Sequence, residues 1–356
     1  MFSKGMNPAE YVMAASSGTL KTRGGRKRDV RELAALYRAS ELCAQFSDSL
    51  DAAVLGGREG GREEGEAGAG LEGRLFPRDM LQINHILVKR QFLKMRRNRR
   101  PVVVGVLRHI LVALFYGSLY WQVASTAIQS RLSLLFFAIM FVMVGNQQTI
   151  PGVHEDRLLY YREKGAHVYG PFSYWMTCAA SYVPQNILNT LLYSAIVYTM
   201  SGLHNSFACF GYFYLIIMLC SLCALFFCQL LSITLHSPQT AVAVFPATLF
   251  IFSSFAGFIV RLPSLPSWLG TWCPDVSFAR WAFQGLVINE FEGNARVSYR
   301  DLPAVYYSPD PYQTMVESLG FEGFSKWFTV PILLLNMVVF RGLTYVSLVW
   351  VNHERR

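Results

Sequence analysis

The densest run of reactive side chains is His154-Glu155-Asp156-Arg157, followed by Tyr160-Tyr161-Arg162-Glu163-Lys164. Charges of both signs interleaved with aromatic rings suit docking to a soluble partner, and equally suit a solvated loop. Ionisable residues inside apolar runs form a second group: Arg108 and His109, and Arg341. A charge in hydrocarbon is costly, so each is a functional candidate by default. The plain alternative for Arg108 is snorkelling to the near surface. For Arg341, snorkelling and pairing within a helix bundle both stay open. The third group is aromatic. Phe136, Phe137 and Phe141 in one apolar run, with Phe250, Phe252 and Phe255 in another, could line a pocket, or could simply pack or face lipid.

Motifs of catalysis are missing from the sequence. No GxxxxGK[ST] phosphate loop is present, so the chain offers no cradle of backbone N–H groups for nucleotide phosphates. HExxH, GxSxG and metal-ligand clusters are absent as well, and the seven histidines are scattered. Catalytic, metal-binding and cofactor-binding residues are therefore expected to be none. Of the seven cysteines, Cys178, Cys209, Cys220, Cys223 and Cys228 lie in or near apolar runs and read as small hydrophobes. Cys273, outside those runs, is the one disulfide candidate.

The elements that would position these residues follow from composition. The 356 residues are 53% hydrophobic and only 15% charged, where a soluble domain carries about 25% charged residues. Apolar runs reach about 20 residues, enough to cross a bilayer. An all-α membrane protein is expected, with six spans near 101–123, 131–153, 174–201, 208–234, 239–260 and 328–351. Residues 1–55 include a plausible helix at 29–49. Residues 56–77 form a Gly/Glu-rich flexible linker. Residues 78–100 form a basic amphipathic helix, with Leu81, Val88, Phe92 and Met95 on one stripe and its cations toward anionic headgroups.

Charge sets the topology. The net charge of +9 is concentrated before the first span, around Lys94-Met95-Arg96-Arg97 and Arg99-Arg100, which fits a positive-inside signal better than a nucleic-acid patch. The connection 154–170 carries Arg157, Arg162 and Lys164, and the chain ends in Arg355-Arg356. All three signals place both termini in the cytoplasm. The long connection 261–327, with its prolines and aromatic residues, is expected to fold as an extracellular cap; residues 352–356 form a cytoplasmic tail. The membrane could be the plasma membrane or an internal one.

Several segments together resemble the transmembrane half of ABC transporters of the G subfamily, the White and pleiotropic-drug-resistance type. Glu155-Asp156-Arg157 with Tyr161-Arg162-Glu163 and Tyr169 is similar to its loop between spans two and three. Trp281-Ala282-Phe283-Gln284-Gly285-Leu286 with Asn289-Glu290-Phe291 is similar to its outer segment. Phe255-Ala256-Gly257-Phe258 resembles its "F(S/A)G" at the outer end of span five. Asn7-Pro8-Ala9-Glu10-Tyr11 resembles the close of its nucleotide-binding domain, and Tyr37–Leu42 the following linker helix.

The resemblance implies an ATP-driven exporter moving a hydrophobic or lipid-like substrate. Two membrane halves, as homo- or heterodimer, would enclose a cavity. Phe137, Phe141 and Val144 of span two, with Phe250 and Ser253 of span five, are its candidate positions. Phe258 and Ile259 would form an apolar valve below the outer cap. Glu155, Arg157, Tyr161, Arg162 and Glu163 would couple to a nucleotide-binding domain, which would bind ATP and Mg; membrane lipids are partners and nucleic acid is not. Residues 1–55 then read as a remnant after that domain. Its absence from the chain would mean truncation, the preferred reading, or a separate subunit. The alternative function is a non-catalytic membrane subunit that dimerises with a complete half-transporter. An ion-coupled carrier would need buried Asp or Glu in the spans, which hold almost none.

Overall fold

The computed structural model describes residues 80–124, 127–166, 168–204, 206–293, 319–321 and 325–351. These all belong to one unit, Phe76–Arg356. The expected remnant at 1–55, the linker at 56–77, much of the outer segment's second half and the tail at 352–356 lie outside the described residues.

Nine helices longer than one turn are described: α1 (Met80–Arg97), α2 (Arg100–Leu119), α3 (Ile128–Gly145), α4 (Ile150–Gly165), α5 (Pro171–Ser201), α6 (Phe207–Thr234), α7 (Pro238–Ser254), α8 (Phe278–Gly293) and α9 (Thr329–Trp350). No strand occurs among the described residues. A helix occupies each of the six apolar segments. Four stretches, Arg100–Leu119, Ile128–Gly165, Phe207–Thr234 and Lys326–Trp350, are long and apolar enough to cross a membrane. Pro238–Ser254 is apolar but shorter, and the 31-residue α5 is more polar.

Helix α6 is the hub. Its best window has a mean hydropathy of 2.5, and a helix apolar on every side belongs in the centre of a bundle. It packs against α3, α4, α5, α7, α8 and α9. Helix α2 is peripheral and packs mainly on α5. Its buried positions are Gly105, His109, Ala113 and Gly117, every fourth residue. That stripe, small except for His109, lets two backbones approach closely, which is how membrane helices gain packing energy. Helix α5 ends at Gly202, whose φ of +66° is the left-handed conformation that favours glycine at a helix C-terminus.

Two segments differ from their expected form. The charged stretch expected as a loop at 154–165 is helix α4, reached through a 3-10 turn at Asn146–Thr149. Pro151 does not break it, because the turn places the proline in the first helical turn, where a missing N–H goes unused. Buried Val153, His154, Asp156, Arg157, Tyr160 and Tyr161 recur at helical spacing. The outer segment also departs from a purely external cap. Phe278, Trp281, Phe283, Leu286, Val287 and Phe291 of α8 belong to the same buried core as α3 and α6.

Candidate functional site

The charged residues of α4 meet α1. Arg90 Nη1 lies 2.5 Å from Glu163 Oε1, and Lys94 Nζ lies 2.7 Å from Asp156 Oδ1. Residues 90 and 94 share one face of α1 because they are one turn apart. Tyr169 Oη donates to Glu163 Oε2 at 2.5 Å. Burial, then the neighbouring Glu163 carboxylate, pushes the Tyr169 hydroxyl above its ordinary pKa, so it remains a donor. Of the expected coupling set, Glu155 and Arg162 are exposed, while Arg157 and Tyr161 turn into the bundle. Arg90, Lys94 and Asp156 were not in that set. Their signal was the one-turn spacing of the two cations.

Arg157 is the most enclosed of these side chains. Its Nη1 donates to the carbonyls of Ser232 at 2.8 Å, Ile233 at 2.9 Å and Leu235 at 2.8 Å. Its Nη2 donates to His236 O at 3.1 Å. The last carbonyls of a helix lack intrahelical donors and carry partial negative charge. Arg157 therefore caps the C-terminus of α6 from a neighbouring helix.

Phe137, Phe141 and Val144 share a face of α3 by their spacing of four and three. Phe137 and Val144 are exposed. Phe141 stacks on Tyr193 with centroids 4.9 Å apart and meets His109 edge-on at 5.5 Å. Phe141 and Val144 line an open hollow with Arg108, Gln147 and Val242. On α7, Phe250 is 61% exposed and Ser253 is buried. Ser253 Oγ donates to Leu249 O at 2.8 Å and touches Met140 Sδ at 2.7 Å. Those two candidates thus lie in different surroundings. Phe258 stacks on Phe136 at 4.6 Å and meets Phe283 edge-on at 5.9 Å, while Ile259 is exposed.

An ion pair that the sequence reading missed joins α3 to α8. Arg131 Nη1 donates to Glu290 Oε1, and both side chains are buried. Arg131 also reaches the carbonyls of Val123 at 2.9 Å and Ala124 at 3.2 Å. Glu290 Oε2 accepts from His204 N at 3.3 Å. Asn289 beside it donates to Cys209 O at 3.1 Å. Glu290 lies in the segment expected to form an external cap, yet it is buried. Arg341 is paired rather than free: it donates to Gln229 Oε1 at 3.0 Å and to Trp175 O at 2.5 Å. Cys273 is a free thiol, as are Cys178, Cys209, Cys220, Cys223 and Cys228.

An all-helical bundle with apolar spans and buried, internally paired charges defines an integral membrane protein. Residues 84–291 match the ABC-2 type transporter family, and the chain belongs to it. Curated relatives include members of the ABC transporter G family. ABC transporter G family member 7 of Arabidopsis thaliana is 30% identical over 213 residues, covering 58% of this chain and 29% of that protein. A probable ATP-dependent permease of Saccharomyces cerevisiae is 25% identical over 330 residues, covering 90% of this chain and 30% of its own length. ABC transporter G family member 5 of Dictyostelium discoideum is 22% identical over 341 residues, covering 89% and 22%. The chain thus spans less than a third of the length of these relatives.

Proposed function

We propose that the chain is the membrane-spanning part of an ATP-driven exporter for a hydrophobic or lipid-like substrate, working as a dimer. The six apolar helices cross the membrane with both termini cytoplasmic. ATP and Mg bind on a nucleotide-binding domain, not on the residues described above. The observation that carries this reading is the α1–α4 junction. A basic surface helix is clasped to the charged helix α4 by Arg90–Glu163 and Lys94–Asp156, and α4 is fixed to the end of the central helix by Arg157. A push on the cytoplasmic end of α4 then moves α6 with it. The exposed aromatic face of α3 and α7, with Phe137, Val144 and Phe250, suits an apolar substrate once a second membrane half covers it.

The test is vanadate-sensitive ATP hydrolysis in membranes holding this chain together with a G-type nucleotide-binding domain. Hydrolysis stimulated by the chain is expected. Arg90→Glu and Glu163→Arg each reduce the stimulation, and the double swap restores part of it. Equal stimulation by all three variants would remove the junction from the coupling path.

A further inference from the structure

Arg108 is the one charged residue lining the open hollow beside α3. The hollow measures about 450 Å³, within the range of small-molecule sites. Phe141, Val144, Pro151 and Val242 make its wall largely apolar. The guanidinium head, not only the stem, reaches that wall. Its Nη2 donates to Gly145 O at 2.9 Å, and its Cζ lies 5.9 Å from the centroid of the Phe141 ring. Gly145 makes room for it, since a β-carbon there would lie 3.2 Å from Nη2.

This charge is poorly balanced. Among the described residues no carboxylate lies within ion-pair distance of Arg108, and the bond to Gly145 O is its one hydrogen bond. Arg157, by contrast, serves the carbonyls of Ser232, Ile233, Leu235 and His236, and Arg341 binds Gln229 Oε1 and Trp175 O. Arg108 is also only half-buried. A cation in an apolar wall without a counter-charge favours an anion beside it. A neutral apolar ligand would leave that cation unbalanced, and a bare inorganic anion would leave the apolar wall uncovered. A molecule with an apolar body and an anionic group meets both needs. The volume suits one ring system or short chain, not the two acyl chains of a diacyl lipid.

We propose that the hollow takes a compact amphipathic anion, an apolar body bearing one carboxylate, sulfate or phosphate, and that Arg108 selects it. The proposal deepens the export reading and rests on it, because it needs this face to meet substrate.

The test uses the 356-residue chain in phosphatidylcholine nanodiscs, with protein-free discs as the blank. Three probes share one apolar body: pyrenebutyrate, pyrenebutanol and a pyrenebutyl ammonium ion. Energy transfer from tryptophan to pyrene reports binding. Pyrenebutyrate should bind about tenfold or more tighter than the alcohol, and the ammonium ion weakest. Arg108→Gln should bring acid and alcohol within about twofold of each other, with alcohol binding unchanged. Arg108→Lys should keep part of the preference. Gln148→Glu tests the same charge with Arg108 in place. Residue 148 is exposed and lines the hollow, and Gln148 Nε2 lies 3.6 Å from a β-carbon position on Gly105, one turn before Arg108. Its carboxylate should compete for the guanidinium and abolish the preference. Arg97→Gln removes an exposed cation that does not line the hollow and should keep the preference. Equal affinity for acid and alcohol in the native chain, an equal loss in Arg97→Gln, or no saturable transfer from any probe overturns the proposal. Each of these leaves chain-stimulated ATP hydrolysis standing. Loss of that stimulation with the anion preference intact would instead remove the export reading, so the two fail separately.

Discussion

Arg157→Met keeps the apolar stem and strips the guanidinium from the end of α6. In the native chain Arg157 is 1% exposed. It serves the carbonyls of Ser232, Ile233, Leu235 and His236, and its Nη2 lies 3.1 Å from His154 Nδ1. Among the described residues no carboxylate lies within ion-pair distance of it. Its charge is balanced by carbonyl oxygens and the α6 dipole. Hydrogen bonds from a charged donor each contribute about 1.5–3 kcal/mol net, and a well-placed cation at a helix C-terminus adds up to about 2 kcal/mol. Relief of the guanidinium's desolvation offsets several kcal/mol of that sum. A net loss of about 3 kcal/mol follows, or roughly 6–12 °C in melting temperature for a unit of this size. Arg157→Lys keeps the charge but loses the planar fork, so an intermediate loss of roughly 3–6 °C is expected. Fluorescence-monitored unfolding in detergent at one scan rate reads both, with Arg96→Met as an exposed control. A loss for Arg157→Met within about 2 °C of that control would refute the capping argument.

Two further substitutions test other contacts. Glu290→Gln leaves Arg131 buried without its counter-charge and should cost about 3–5 kcal/mol; the double variant Arg131→Met with Glu290→Leu should recover much of that loss. Additive losses in the same unfolding assay would show that the two residues act separately. Gly257 has a φ of +92°, and a β-carbon there would lie 2.9 Å from Phe321 Cζ. Gly257→Ala should therefore destabilise by about 1–3 kcal/mol. Adding Phe321→Leu should restore only the steric part, because the backbone strain remains. Full recovery would assign the whole effect to the Phe321 ring.

The sequence revealed some features and hid others for physical reasons. The helices of the six apolar segments were legible from their hydrophobic runs, and four stretches are long and apolar enough to cross a membrane. The stripe expected on α1 is not its buried face: Ile83, Leu87 and Gln91 are buried, while Leu81 and Phe92 are exposed. Helix α4 was not legible, since its buried face mixes Val153 and Tyr160 with Asp156 and Arg157, and charge density reads as a loop. Its signal was the helical recurrence of 153, 157, 160 and 161. Helix α8 was hidden by neighbouring prolines and by a run too short to cross a bilayer. Its burial depends on contacts with α3 and α6 that are distant in sequence. The aromatic residues carried the least information. Phe250 and Phe252 lie two positions apart in one helix, yet Phe250 is exposed while Phe252 packs against Phe227 and Phe278.

The arginines in apolar helices share one form of chemistry. Arg157 donates to the last carbonyls of α6. Arg108 donates to Gly145 O at 2.9 Å, at the end of α3. Arg341 donates to Trp175 O and lies 4.2 Å from the centroid of the Trp175 ring. Backbone carbonyls freed at helix ends or turned toward a neighbour must find donors where water is scarce. A guanidinium offers five N–H groups on one rigid plane. For Arg157 and Arg341, structure thus accounts for a charge that depth alone would mark as functional. Arg108 differs. Like Arg157 it has an Nε without a partner, but it borders the open hollow beside Phe141 and Val144. Of the three, it alone borders the face proposed to meet substrate.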